Sequence, residues 1–246
     1  MMISATILTN NSSKTLRNTL ESIDFVDEIV VMDTGSTDNT LSIAEEFHKV
    51  KIYHEAFFGF GDLHNKACKV AKNDWILSID ADEIITLDLK KEILNLDFDN
   101  QTLYEIPFKN VLFGKKIRFS DWNNNHPVRL FNKTVTSFCD SKVHEKVLKN
   151  NMKCYRLKSH AMHDSYRDYH DFLRKLQIYT DLFVEQNAGK QSSFSKAITH
   201  AIFAFFKTYF LKLGIFDGKE GLFIANYQAQ TAFFKYLKLM EKSMKP

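Results

Sequence analysis

Cysteine, proline and glycine are all scarce in this chain, at 3, 3 and 8 of 246 residues. The three thiols, Cys68, Cys139 and Cys154, are odd in number and too scattered for a Cys-x-x-Cys metal site. That spacing argues against a disulfide framework and for reduced thiols, as in the cytosol. So little proline and glycine leaves scant room for a disordered linker. No window reaches about 18 uncharged apolar residues, so no transmembrane helix is expected. The opening, "MMISATILTNN", has no basic segment ahead of its apolar stretch and no small-residue cleavage site. It reads as a first strand and not as a signal peptide. A net charge of +3 is too small to argue for nucleic acid.

What remains is ordinary globular composition, 44% hydrophobic and 26% charged, enough for one full domain and an appendage. The charge is unevenly placed. From His170 onward the chain carries a net +5, and the part before it −2.

The first 80 residues alternate apolar runs with helical spacing. "ISATILT" (3–9), "EIVVMD" (28–33), "KIYH" (51–54) and "WILSID" (75–80) read as strands. "TLRNTLESI" (15–23), "GSTDNTLSIAEEF" (35–47) and "GDLHNKACKVAK" (61–72) read as helices. The near-continuous apolar run of 28–33 is the mark of a strand buried on both faces, and the alternation predicts a right-handed α/β sheet. After Asp97 the pattern changes to strand-like pieces over 103–119 and 127–133, with Gly114 as a turn. From Tyr169 the chain is helical, with breaks near Gly189 and Asp217-Gly218.

Ligands of open α/β sheets sit beyond the carboxyl ends of strands, and two acidic clusters fall there. The first is "MDTGSTDNT", where Asp33 leaves the strand and Gly35 permits a tight turn. It is either a capped βα turn or part of a nucleotide site. The second, "DADE", places Asp80, Asp82 and Glu83 at the end of the fourth predicted strand. Like charges this close raise one another's pKa. Asp80 and Asp82, two apart, can face one side of an extended segment, where hard oxygen ligands suit Mg²⁺ or Mn²⁺ together with substrate phosphates. The alternative is a solvated acidic turn with Glu83 opening a helix.

Taken in order, "ISATILTNN", "VDEIVVMDTGSTDNT", "FFGFGDLHNKA", "DWILSIDADE", "RLFNK", "VHEKV" and "HDSYRDYHDFLRK", followed by a helical tail with "LKLGIFDGKEG", resemble family-2 glycosyltransferases of the GT-A fold. Within them the chain is most similar to the bacterial β-1,4-glucosyltransferases of the lipopolysaccharide inner core. The resemblance implies an α/β GT-A domain over 1–168, a Rossmann-like mixed sheet flanked by helices, and a helical C-terminal extension over 169–246. It implies an inverting, metal-dependent transfer of a sugar, glucose by resemblance, from a UDP-sugar to a saccharide acceptor. Thr9, Asn11, Asp33, Gly35, Ser36, Asn65, Asp80 and Arg167 then fall at nucleotide-sugar positions. Asp80, Asp82 and His163 fall at the metal, with His163 otherwise a satisfied loop histidine. Arg129 either serves the site or holds a carboxylate.

Glu145 is the candidate general base, Asp140 the reserve, and each is otherwise a surface residue. His144 and Trp122 are acceptor-side candidates, with Asn123–Asn125 in the same polar loop. The chain departs from the family pattern at Ser12, at Thr34 and at His64, where relatives tend to carry Lys or Arg. Over 194–216 the apolar arc is wide and interspersed with Lys196, Lys207 and Lys212. This stretch either packs against other helices or inserts shallowly into the inner face of the cytoplasmic membrane. A lipid-linked acceptor implies the second, a peripheral cytoplasmic location. Rival readings are a metal-dependent nucleotidyltransferase, disfavoured by a glycine-free "TNNSSKTLRN", and a non-catalytic sugar-binding or assembly protein at the membrane.

Overall fold

The computed structural model describes residues 2–120, 122, 126–141, 145–166 and 169–244. His144, Arg167 and Asn123–Asn125 lie outside the described residues. The chain divides into two compact units, one of residues 1–108 and 125–163, the other of 109–124 and 164–246. These units part at 163, and 109–124 groups with the helical one.

The first unit is built on β1 (Ile3–Thr9), β2 (Glu28–Asp33), β3 (Val50–His54) and β4 (Trp75–Ser78), with α1 (Leu16–Ser22), α2 (Thr40–Glu45) and α3 (Phe60–Val70) between them. Then come β5 (Glu83–Ile85), α4 (Leu87–Leu94) and β6 (Thr102–Glu105), followed by β7 (Phe108–Leu112) and β8 (Lys115–Lys116). β9 (Val128–Asn132), β10 (Lys153–Arg156) and β11 (Ala161–Tyr166) complete the strands. The main sheet has the order β10-β6-β9-β4-β1-β2-β3. β1 pairs in parallel with both β2 and β4, and β2 with β3, whereas β9 runs antiparallel to β4 and β6.

Strand alternation sorts the core into two faces. Ile3, Ala5, Ile7, Ile29, Val31 and Leu77 pack with Leu16 and Leu20 of α1 and with Leu89 and Ile93 of α4. Val30, Met32, Ile76 and Phe131 point the other way, onto Leu63, Ala67 and Cys68 of α3. Covered on both faces, β2 is buried along its whole length.

The helix expected from residue 35 begins only at Thr40. Side chains hold the intervening turn. Asp33 accepts from the Gly35 and Ser36 amides, and the Asn11 Oδ1 accepts from the Thr37 amide at 2.8 Å. Asp38 accepts from the Thr40 amide at 3.0 Å and from the Ser13 amide at 3.1 Å. Such side-chain bonds compete with helical ones.

In the second unit, α5 (Tyr169–Gln186), α6 (Phe194–Phe206) and α7 (Lys219–Met244) follow one another, with a π-helical turn (Lys207–Leu211) and a 3₁₀ turn (Gly214–Asp217) between the last two. The β7–β8 hairpin turns at Phe113 and Gly114, with φ of 51° and 79°. Asp217, buried, accepts from the Arg118 and Phe119 amides at 3.0 and 2.9 Å. No helix among the described residues is long and apolar enough to cross a membrane.

Candidate active site

Parallel pairing aligns the carboxyl ends of β1, β2 and β4, with Thr9 opposite Asp33 and Thr6 opposite Ser78. The acidic turn follows directly. The Asp80 amide donates to Glu83 Oε2 at 2.9 Å and the Glu83 amide to the Asp80 carbonyl at 3.0 Å. Thr19 of α1 donates to the Ala81 carbonyl from the core side at 3.1 Å. β5 then pairs antiparallel with β11, which sets His163 opposite Glu83.

Arg129 and His163 relieve the crowding of carboxylates. Arg129, carried on β9, reaches both Asp80 and Glu83 at 2.7 Å, and His163 Nε2 lies 3.2 Å from Asp82 Oδ1. The Arg129 guanidinium also sits 5.5 Å from the centre of the Phe108 ring, a favourable cation–π distance. Burial works against the charge of Asp80, but the Arg129 guanidinium outweighs it and holds this carboxyl well below the usual range. Burial raises the Glu83 carboxyl, Arg129 draws it down and Asp80 raises it again, leaving it pushed up to about 7. For His163 burial disfavours the proton, yet Asp82 prevails and its pKa is raised. Arg129 thus holds both the Asp80 and the Glu83 carboxylates.

The three expected metal ligands do not form a cage. Among the described residues no group of three or more His, Cys, Asp or Glu side chains is arranged to hold a metal ion. Asp80 is tied to Arg129, and Asp82 to His163. Asp82 and His163 nevertheless offer a carboxylate oxygen and an imidazole nitrogen on side chains about a quarter exposed. That donor set fits a small divalent ion which takes its other ligands from water and substrate phosphate.

A second group assembles beside α3. The residues that follow β9 return on themselves through a Phe138–Val147 bridge, with the Cys139 amide donating to the Lys146 carbonyl at 2.9 Å. This brings Glu145 Oε1 to 3.6 Å from His64 Nε2. Asp140, the reserve base, is exposed. Asn65 binds the Phe138 backbone at both ends of its amide, at 3.0 and 2.9 Å. Its amide is therefore part of the scaffold under Glu145. Asp33 likewise has its oxygens on the Gly35 and Ser36 amides and is 1% exposed, while the Asn11 amide donates to the Ser36 hydroxyl at 2.9 Å. The geometry of "MDTGSTDNT" is a turn held by side-chain hydrogen bonds, with Gly35 at φ 99° as its pivot. Thr9 differs: its buried hydroxyl has no hydrogen-bond partner among the described residues, which leaves it able to serve a ligand.

Residues 4–157 match glycosyl transferase family 2. The chain belongs to that family. It is 29% identical over 260 residues to an uncharacterized glycosyltransferase of Rickettsia conorii (strain ATCC VR-613 / Malish 7), covering 99% of this chain and 91% of that one. It is 30% identical over 263 residues to another of Rickettsia bellii (strain RML369-C), covering 98% and 87%. Among solved structures it resembles S. aureus TarS 1–349 in complex with UDP-GlcNAc, at 16% identity and a TM-score of 0.51, covering 99% and 91% of the two chains. The architecture is that of GT-A glycosyltransferases.

In this family-2 glycosyltransferase, Trp122 and His64 make contacts that local sequence does not show. Trp122 belongs to the second unit's core: its ring stacks on Phe172 at 6.1 Å and 10° and meets Tyr227 edge-on. One face of its ring is therefore taken up by packing against Phe172. His64 was legible only as a departure from the family pattern, and the structure places it against the candidate base. Nothing in local spacing pairs residues 81 positions apart. Ser78, which joins them through His64, carries no sequence signal at all.

Proposed function

We propose that this family-2 glycosyltransferase moves a hexose, glucose by its resemblance to inner-core glucosyltransferases, from a UDP-sugar to a saccharide hydroxyl with inversion at the anomeric carbon. The observation that carries this reading is the pair of groups at the strand ends: Asp82 beside His163 at 3.2 Å, and Glu145, partly exposed, held beside His64. The TarS structure, of similar fold, holds UDP-GlcNAc, which supports a UDP-sugar without deciding the sugar. Asp82 and His163 would hold a divalent cation that neutralises charge growing on the leaving diphosphate. Arg129 keeps Asp80 ionised and turned into the site. Glu145 takes the proton of the acceptor hydroxyl as its oxygen attacks C1 from the face opposite UDP, by analogy with the carboxylate pairs of glycoside hydrolysis.

The acceptor in this reading is lipid-linked, the lipopolysaccharide inner core, met at the inner face of the cytoplasmic membrane. Support comes from the outer side of the helical unit. Ile202, Phe203, Phe206, Phe210, Leu211 and Phe216 are each between 45% and 69% exposed. Residues 186–216 contain four lysines and no aspartate or glutamate. An apolar ridge with basic residues around it fits an anionic lipid surface.

The decisive experiment is UDP release from UDP-sugars with a saccharide acceptor, comparing the wild type with Glu145→Gln and Asp140→Asn. Glu145→Gln should keep donor affinity while turnover falls by about 10²-fold or more, and Asp140→Asn should stay near the wild type. Full turnover in the first variant with collapse in the second reassigns the base. A wild type that releases no UDP from any UDP-sugar sinks the reading.

A further inference from the structure

We infer that His64 is a positioning residue for Glu145, an inference that rests on the reading of Glu145 as the base. The imidazole is 1% exposed and fixed on three sides. Its ring lies on Phe138 at 4.3 Å and 14°, Nδ1 is 3.4 Å from the Ser78 hydroxyl, and Nε2 is 3.6 Å from Glu145 Oε1. Ser78 is itself fully buried on β4. A hydroxyl that donates to Nδ1 leaves the ring proton on Nε2, and the tautomer of a histidine is set in this way by the bond its other nitrogen makes. That proton then points at Glu145.

Glu145 needs such a partner. Its side chain has three rotatable bonds, is 21% exposed, and stands two residues before the Phe138–Val147 bridge. Holding Oε1 leaves Oε2 to meet the acceptor hydroxyl. A separation of 3.6 Å is longer than a hydrogen bond, and contacts of this kind shorten when substrate completes the site. The stack on Phe138 and the Asn65 tether to the Phe138 backbone join α3 to the segment that bridges to Val147, two residues beyond Glu145.

The test separates positioning from packing and from donor binding. His64→Asn keeps an acceptor, its Oδ1, near the Nδ1 position but loses reach to Glu145. His64→Gln places an N–H at about the Nε2 distance. We expect kcat to fall by about 10-fold or more in His64→Asn with donor KM within about twofold, and His64→Gln to recover most of it. Added to Glu145→Gln, the His64→Asn change should do nothing further, because the two act as a unit. Loss of kcat that repeats in full on the Glu145→Gln background overturns the inference. So does a raised donor KM at unchanged kcat, which would make His64 a donor contact. If His64→Asn does not fold, Ser78→Ala reads the same link: a smaller kcat loss that vanishes on the Glu145→Gln background supports it, and no loss refutes it. Near-full turnover in Glu145→Gln alone is a different result, since it removes the base and this inference with it.

Discussion

Arg129 shows what one residue does when like charges must share a strand end. It is 12% exposed, and its guanidinium meets two carboxylates of very different character: Asp80, more than a third exposed, and Glu83, at 2%. Removing one partner of such a cluster leaves a buried charge unmatched, which costs about 3–5 kcal/mol in fully buried cases and less here, because water reaches Asp80. Arg129→Met should therefore lower stability by about 2–3 kcal/mol at pH 8. The sign of the pH dependence follows from the two shifts. Asp80 is held below its ordinary value, and its contribution is present above that value. Glu83 is raised to about 7, so its charge is resisted above that pH. Without Arg129 both carboxyls take up protons more readily, and the deficit should shrink between pH 8 and pH 5. Urea denaturation of wild type and variant at the two pH values measures this, and a deficit that grows toward pH 5 contradicts it.

At the scale of elements, the junction between α3 and the segment carrying Glu145 depends on a glycine. The Gly61 amide donates to the Ser141 carbonyl at 3.1 Å, and a Cβ at Gly61 would overlap the Cys139 carbonyl oxygen and come within 3.0 Å of that of Ser141. Both obstacles are backbone, so the segment and not a side-chain tip must shift. Gly61→Ala should cost about 1–3 kcal/mol, as overpacking does, and should lower kcat beyond what the unfolded fraction explains, because Glu145 moves with the segment. Thermal midpoints measured beside kcat separate the two effects. Activity restored fully by assaying well below the midpoint would show that Gly61 serves stability alone. In the second unit the same logic holds the "LGIFDGKEG" turn: a Cβ at Gly221 would overlap the Gly214 carbonyl, and Lys115 ties the hairpin to the Asp217 carbonyl and Glu220 at 2.9 and 2.8 Å.

For the whole molecule, the question is where the apolar ridge of the helical unit resides. We predict that the protein binds vesicles containing anionic phospholipid and that replacing Lys196, Lys207 and Lys212 by Gln weakens this. Each basic residue near such a surface contributes about 1 kcal/mol. Turnover on a soluble acceptor should be unchanged. Cosedimentation with anionic and neutral vesicles reads the effect. A wild type that stays in solution with both and forms dimers through this face would assign the ridge to a second copy of the chain.

The sequence by itself determined the alternation of strands and helices, the acidic strand end and the helical tail. These are local: hydrophobic period, turn chemistry and charge lie within a few residues of one another, and the DADE and RLFNK stretches sit where their spacing implied. It also carried the family, because seven ordered motifs are a one-dimensional pattern. Tertiary structure alone decided which partners each polar residue meets. Asp33, Asn11 and Asn65 have the chemistry of ligand contacts, yet their hydrogen-bonding atoms meet backbone groups brought up by the fold. Trp122 has the chemistry of a sugar platform and lies against Phe172. Arg129 spans 46 and 49 residues to reach its carboxylates, and His64 spans 81 to reach Glu145. A side chain's propensity is written in its own position. Its partner is set by sheet register and helix packing, which sum contributions from the whole chain.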